Sequence, residues 1–114
     1  MQLGRWAAAF LFTQAIETPI YAFALRRRFR HPAVRIGAGF GASTLTHPIV
    51  WFVIPHFVAH PRFAYLAVAE TFAVVVEAIY LYTLGLRRAT MWSLISNGAS
   101  VAASIVTRLL FHFP

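Results

Sequence analysis

Four apolar stretches, each about twenty residues long, follow one another along the chain: residues 6–25, 36–58, 63–86 and 91–113, separated by short segments rich in Arg, His and Pro. A helix of that length just crosses a hydrocarbon core about 30 Å thick, and none of the four is long enough to cross twice. Backbone polar groups in lipid must pair internally, so spanning segments are helices or closed barrels, and the absence of period-2 alternation selects helix. The expected fold is all-α: an integral membrane four-helix bundle, antiparallel and up-down, filling residues 1–114 as a single domain. Composition agrees. Charged residues make up 11% of the chain, against about a quarter in soluble domains, too few to cover a surface facing water.

The basic residues set an orientation. All ten are arginines, and Arg26, Arg27, Arg28, Arg30 and Arg35 fall in or beside the first loop, Arg87 and Arg88 in the third, with Arg5, Arg62 and Arg108 on the other side. This bias places loops one and three in the cytoplasm and both termini on the non-cytoplasmic side. The expected location is a multi-pass position in a bacterial or archaeal inner membrane, with Trp6 and Trp92 as interfacial anchors at helix ends. Arg5 before an apolar stretch has the outline of a signal peptide. The run continues past Glu17 into the arginine cluster, however, and is read as a retained spanning helix. With no cysteine there is neither a disulfide framework nor a thiolate ligand. The net charge of +7 points to the bilayer and its anionic lipid headgroups as partners. It does not point to nucleic acid, because the arginines flank apolar spans and are not interleaved with stacking aromatics.

The acids carry more information. Glu17, Glu70 and Glu77 are the only ones, and all lie inside predicted spans, where an ionisable side chain costs roughly 2.5 to 3.5 kcal/mol on insertion scales. Counted from the cytoplasmic ends, Glu17, His47, Glu77 and the Asn97/Ser100 pair all fall about six to eleven residues deep. Each helix thus offers a polar group at a similar level, which an antiparallel bundle can bring together. Pro19 and Pro48 stand beside two of these groups and remove helical donors to the Ala15 and Thr44 carbonyls.

Three chemistries fit this set. A carboxyl can exchange a proton and couple it to movement of another solute, with Glu17 and Glu77 titrating, His47 as proton partner and Asn97 orienting them. Alternatively, Glu17, His47 and Glu77 can ligate a divalent metal ion (zinc, manganese or iron), with Asn97, Thr44 or water completing the shell. Or the residues serve only as polar glue between helices, in a structural or accessory membrane subunit. A possible outer site comprises His56 and His60, spaced i, i+4 at the end of the second span, together with Glu70. His31 and His112 need only solvation. Ser96, Ser100 and Ser104, and Gly37 with Gly41, form small-residue ladders that allow close helix contact.

Enzyme motifs are missing: there is no HExxH, no cysteine nucleophile, no Asp-rich pair and no GxSxG elbow. The one enzymatic alternative is a metal-dependent membrane enzyme acting on a lipid-like substrate through Glu17, His47 and Glu77. Four short helices with a glutamate in the first resemble, in layout only, the small multidrug resistance family of proton-coupled dimers. That layout implies a carrier, but the third-helix pattern around Tyr80, Tyr82 and Gly85 does not match, so no membership follows. The expected function is a small transporter or channel-like module with a buried site for a proton or cation, working as a homo-oligomer.

Overall fold

The computed structural model describes residues 2–58 and 60–111. Among these residues there are four α-helices and no strand: α1 (Gln2–Ala24), α2 (Pro32–Phe52), α3 (Arg62–Thr83) and α4 (Ala89–Phe111), with a 3-10 turn at Ile54–His56. His112 and the last residues of the fourth predicted span lie outside the described residues.

Local chemistry explains where the helices stop. His31 caps α2 by accepting the Ala33 amide on Nδ1 at 3.1 Å, and Pro32 follows at the first helical position, where its missing N–H costs nothing. His31 is exposed and caps the helix as well, and α2 begins four residues before the predicted start at 36. At its other end α2 stops at Phe52, short of the predicted 58, and the chain tightens into the 3-10 turn containing Pro55. Tyr65 Oη donates to the Val50 carbonyl there, at 2.9 Å. α3 closes with Gly85 at φ 97°, the Gly85 amide on Tyr82 O at 2.9 Å and the Leu86 amide on Leu81 O at 3.1 Å. This is the Schellman arrangement, which needs the left-handed conformation glycine tolerates. Leu81 and Leu86 complete it by packing in one apolar cluster. Both prolines expected to disturb helices, Pro19 and Pro48, lie inside continuous α1 and α2.

The helices pack in a square: α1 touches α2 and α4, α3 touches the same two, and α1 and α3 sit diagonally opposite. α1 and α2 run antiparallel, because Thr13–His47, Gln14–Thr44 and Glu17–Ser43 advance along α1 as they retreat along α2, and α3 runs antiparallel to α2 through Tyr65–Val50, Glu77–Thr46 and Tyr80–Ala38. Loops one and three meet at one end, with the Arg28 side chain lying against Gly85. Every arginine stands in a loop or an end turn of a helix.

The usual division of polar and apolar residues is reversed. Gln14, Glu17, Ser43, Thr46, Glu77, Ser93, Ser96, Asn97 and Ser100 are buried, while Leu11, Leu45, Val75, Ile79, Leu94 and Ile105 are exposed. Apart from Tyr21, Leu25 and Leu81, the apolar part of the interior is mostly Ala and Gly. Small inward residues let the helix backbones approach, and large apolar side chains point outward from all four helices. Among the described residues two helices, α3 and α4, are by length and composition apolar enough to cross a membrane.

Candidate functional site

The interior polar groups converge on Glu77. Its side chain is 1% exposed and accepts hydrogen bonds from each of the other three helices. Tyr21 Oη on α1 donates to Oε1 at 2.5 Å, Thr46 Oγ1 on α2 to Oε2 at 2.6 Å, and Asn97 Nδ2 on α4 to Oε1 at 3.1 Å. The Tyr21 contact crosses the diagonal of the square, reaching Glu77 from the helix that does not pack against α3. Asn97 is held in turn, its amide also donating to the Ser93 carbonyl at 2.9 Å. One carboxylate therefore joins all four helices.

Glu17, 3% exposed, lies near Glu77: Ser43 and Thr46, one turn apart on α2, bond the first and the second of these carboxylates. Ser43 Oγ donates to its Oε1 at 2.5 Å, and the Ser100 hydroxyl is within reach from α4. Glu70, half-buried, stands two turns along α3 from Glu77. Of the candidates read from the sequence, Glu17, Glu77 and Asn97 are all buried in the interior, and Asn97 bonds Glu77 directly.

His47 does not join them. Its Nε2 is 3.5 Å from Thr13 Oγ1, and its ring sits among Trp6, Phe10 and Trp51, with centroids 6.2, 5.5 and 6.3 Å away. Thr13 is one turn before Glu17 on α1, so His47 lies one turn outward of the carboxylates. Its Nδ1 is buried without a hydrogen-bond partner. Among the described residues no group of three or more His, Cys, Asp or Glu side chains is placed to hold a metal ion. The Glu17–His47–Glu77 metal set is therefore not assembled, and neither is the outer set of His56, His60 and Glu70. In the outer set the helical spacing of the two histidines is lost, because α2 ends before either of them. A His47→Phe variant should keep its unfolding free energy within about 1 kcal/mol of the parent, since only one long hydrogen bond is given up and an unpaired nitrogen is removed. A loss several times larger in a chemical-denaturation series would show that the imidazole has a partner that matters.

Tyr21, Ser43, Thr46 and Gln14 were not singled out from the sequence. Gln14, 5% exposed, donates to Phe40 O at 3.1 Å and Thr44 Oγ1 at 3.2 Å and accepts from Thr18 at 2.7 Å, tying α1 to α2. The signal for Tyr21 was its position four residues after Glu17, on the same helix face. Of the small-residue ladders, Ser96 and Ser100 do face inward, whereas Gly37 faces open space; close approach is made at Gly39 and Gly41.

The class these features define is a four-helix α bundle with an inward polar network and an apolar exterior. Beyond that class, the chain matches no protein-family model, no curated protein and no solved structure.

Proposed function

We propose that this chain is a small integral membrane protein whose Glu17–Glu77 pair binds and releases a proton, coupling it to movement of a solute. The observation that carries this reading is a pair of buried carboxyls, Glu17 and Glu77, held by hydroxyls one turn apart on α2 (Ser43 and Thr46) and otherwise bonded by the neutral donors Tyr21 and Asn97. Every arginine is at a helix end or in a loop and His47 lies one turn away, which favours a proton as the source of charge balance at the pair. In an apolar interior two like charges at close range are strongly unfavourable, which gives the pair a reason to take one up. The exposed apolar side chains of all four helices support insertion of the whole bundle, with loops one and three in the cytoplasm. The side chains at the level of the pair are buried, among them Tyr21, Ser43, Thr46 and Asn97, and a single bundle of four helices has little room for both a packed core and an aqueous path. A solute path therefore runs between bundles, and the working unit is a homo-oligomer.

Reconstitution into liposomes with an imposed pH gradient tests this. The parent protein is expected to dissipate the gradient, and Glu17→Gln and Glu77→Gln to fall to the protein-free rate. In infrared spectra through a pH step, the protonated-carboxyl band of the parent should be missing from at least one Gln variant. Variants that fold, conduct as the parent does and merely melt lower would assign the network to holding the helices together, and the proton reading would be abandoned.

A further inference from the structure

A groove of 490 Å³ opens on the bundle's exterior where α3 passes into α4, its lining including Ala78, Ile79, Tyr82, Arg87, Arg88 and Thr90. Its two ends differ in chemistry. Ala78 and Ile79 lie about one turn or more inside α3, toward the middle of the bundle, whereas Arg87 and Arg88 sit in the loop at its end. Ile79 is 60% exposed and Tyr82 71%, so this apolar wall is open to whatever surrounds the bundle. Both arginines are exposed, and no acid occurs anywhere after Glu77 in the sequence. Their charge has no carboxylate in this part of the chain to neutralise it.

A ligand that fits is itself divided, with an anionic, hydrogen-bond-accepting head at the level of the loop and an apolar tail directed toward the membrane centre. We propose that this groove holds one anionic phospholipid, its phosphate against Arg87, Arg88 and the Thr90 hydroxyl and an acyl chain along Ile79 and Tyr82. The guanidinium fork suits phosphate oxygens, and arginines at a cytoplasmic surface face the leaflet where anionic lipids concentrate. A free phosphate would use the arginines but leave the apolar wall uncovered, and that favours the lipid as the source of the anion. The site rests on the membrane-spanning part of the reading above but is independent of the proton pair.

The protein can be reconstituted in vesicles of mixed phosphatidylglycerol and phosphatidylcholine, extracted in mild detergent and weighed by native mass spectrometry. The parent should retain phosphatidylglycerol over phosphatidylcholine by on the order of thirtyfold, the selectivity two arginines near a membrane surface supply. Arg87→Gln/Arg88→Gln should abolish that preference, and Ile79→Trp should weaken it by filling the apolar wall with both charges intact. Arg27→Gln/Arg30→Gln, which removes equal charge from the other loop, should leave it within about threefold if attraction is local and not spread over the surface. Equal losses in the two double variants would overturn the site in favour of diffuse attraction. Displacement of the lipid by free glycerol 3-phosphate would overturn the lipid assignment. Flotation with the vesicles reads insertion separately. A chain that floats with neither lipid fails the membrane reading, and one that inserts yet shows no lipid preference fails this site alone.

Discussion

Glu77→Ala is expected to lower the unfolding free energy by about 3–5 kcal/mol, the largest stability loss of any single side-chain truncation in this bundle. The substitution strands Tyr21 Oη and one Asn97 amide hydrogen in the interior and leaves Thr46 Oγ1 only its 3.4 Å bond to the Ser43 carbonyl, and each unsatisfied buried donor costs about 1–3 kcal/mol, with relaxation returning part of it. Glu77→Gln should cost only about 1 kcal/mol, because its carbonyl still accepts from Tyr21 and its amide can donate to a rotated Thr46 hydroxyl. The pair of variants separates the two roles of the residue: Ala removes the tie between helices, whereas Gln preserves most of the tie and removes the proton. A double-mutant cycle sharpens the test. Tyr21→Phe alone should be destabilising, yet in the Glu77→Ala background it should be neutral or stabilising, since it then removes an orphaned hydroxyl. Chemical denaturation in micelles followed by circular dichroism gives all four values. If Glu77→Ala unfolds with the parent to within about 0.5 kcal/mol, the carboxylate does not hold the four helices together.

How much of this was legible in the sequence depends on which coordinate of a helix is asked for. Depth could be read, because residues advance about 1.5 Å each along the axis, and depth was enough to group Glu17, Glu77 and Asn97. Azimuth and register were harder. α2 begins at Pro32 and not at 36, and that difference of one turn carries His47 outward to the level of Thr13, leaving Ser43 to meet Glu17 and Thr46 to meet Glu77. Nothing in residue type marks that shift, since histidine before proline looks the more chemical choice and the serine and threonine look like packing residues. Tyr21 was hidden for a related reason. A phenol among eighteen or so aromatic positions reads as apolar mass until the fold shows it crossing the bundle axis, and the 16% aromatic content gives no means of singling it out.

The second large effect is expected at Gly39. A Cβ there would stand 3.0 Å from Tyr21 Cβ and 3.1 Å from the Thr18 carbonyl oxygen. Both are fixed to the backbone of α1, so neither can swing aside and the two helices must part. Gly39→Ala should therefore cost about 1–3 kcal/mol, as overpacking does in close-packed interiors. Gly41→Ala meets a different obstacle, Tyr80 Oη at 2.6 Å, the far end of a side chain that can rotate. The loss there should be near 1 kcal/mol, mainly the hydrogen bond from Tyr80 to Ala38 O. Gly37 has nothing within 4 Å, and Gly37→Ala should stabilise α2 by roughly 0.5–1 kcal/mol through helix propensity alone. Three identical substitutions on one helix thus differ in sign as well as size. Only the first should also reduce proton flux, because displacing α1 from α2 pulls Tyr21 from Glu77 and Glu17 from Ser43 together. Equal stability changes at Gly39 and Gly37 would mean that α1 and α2 are not in contact at Gly39, and the polar network that depends on their spacing would lose its support.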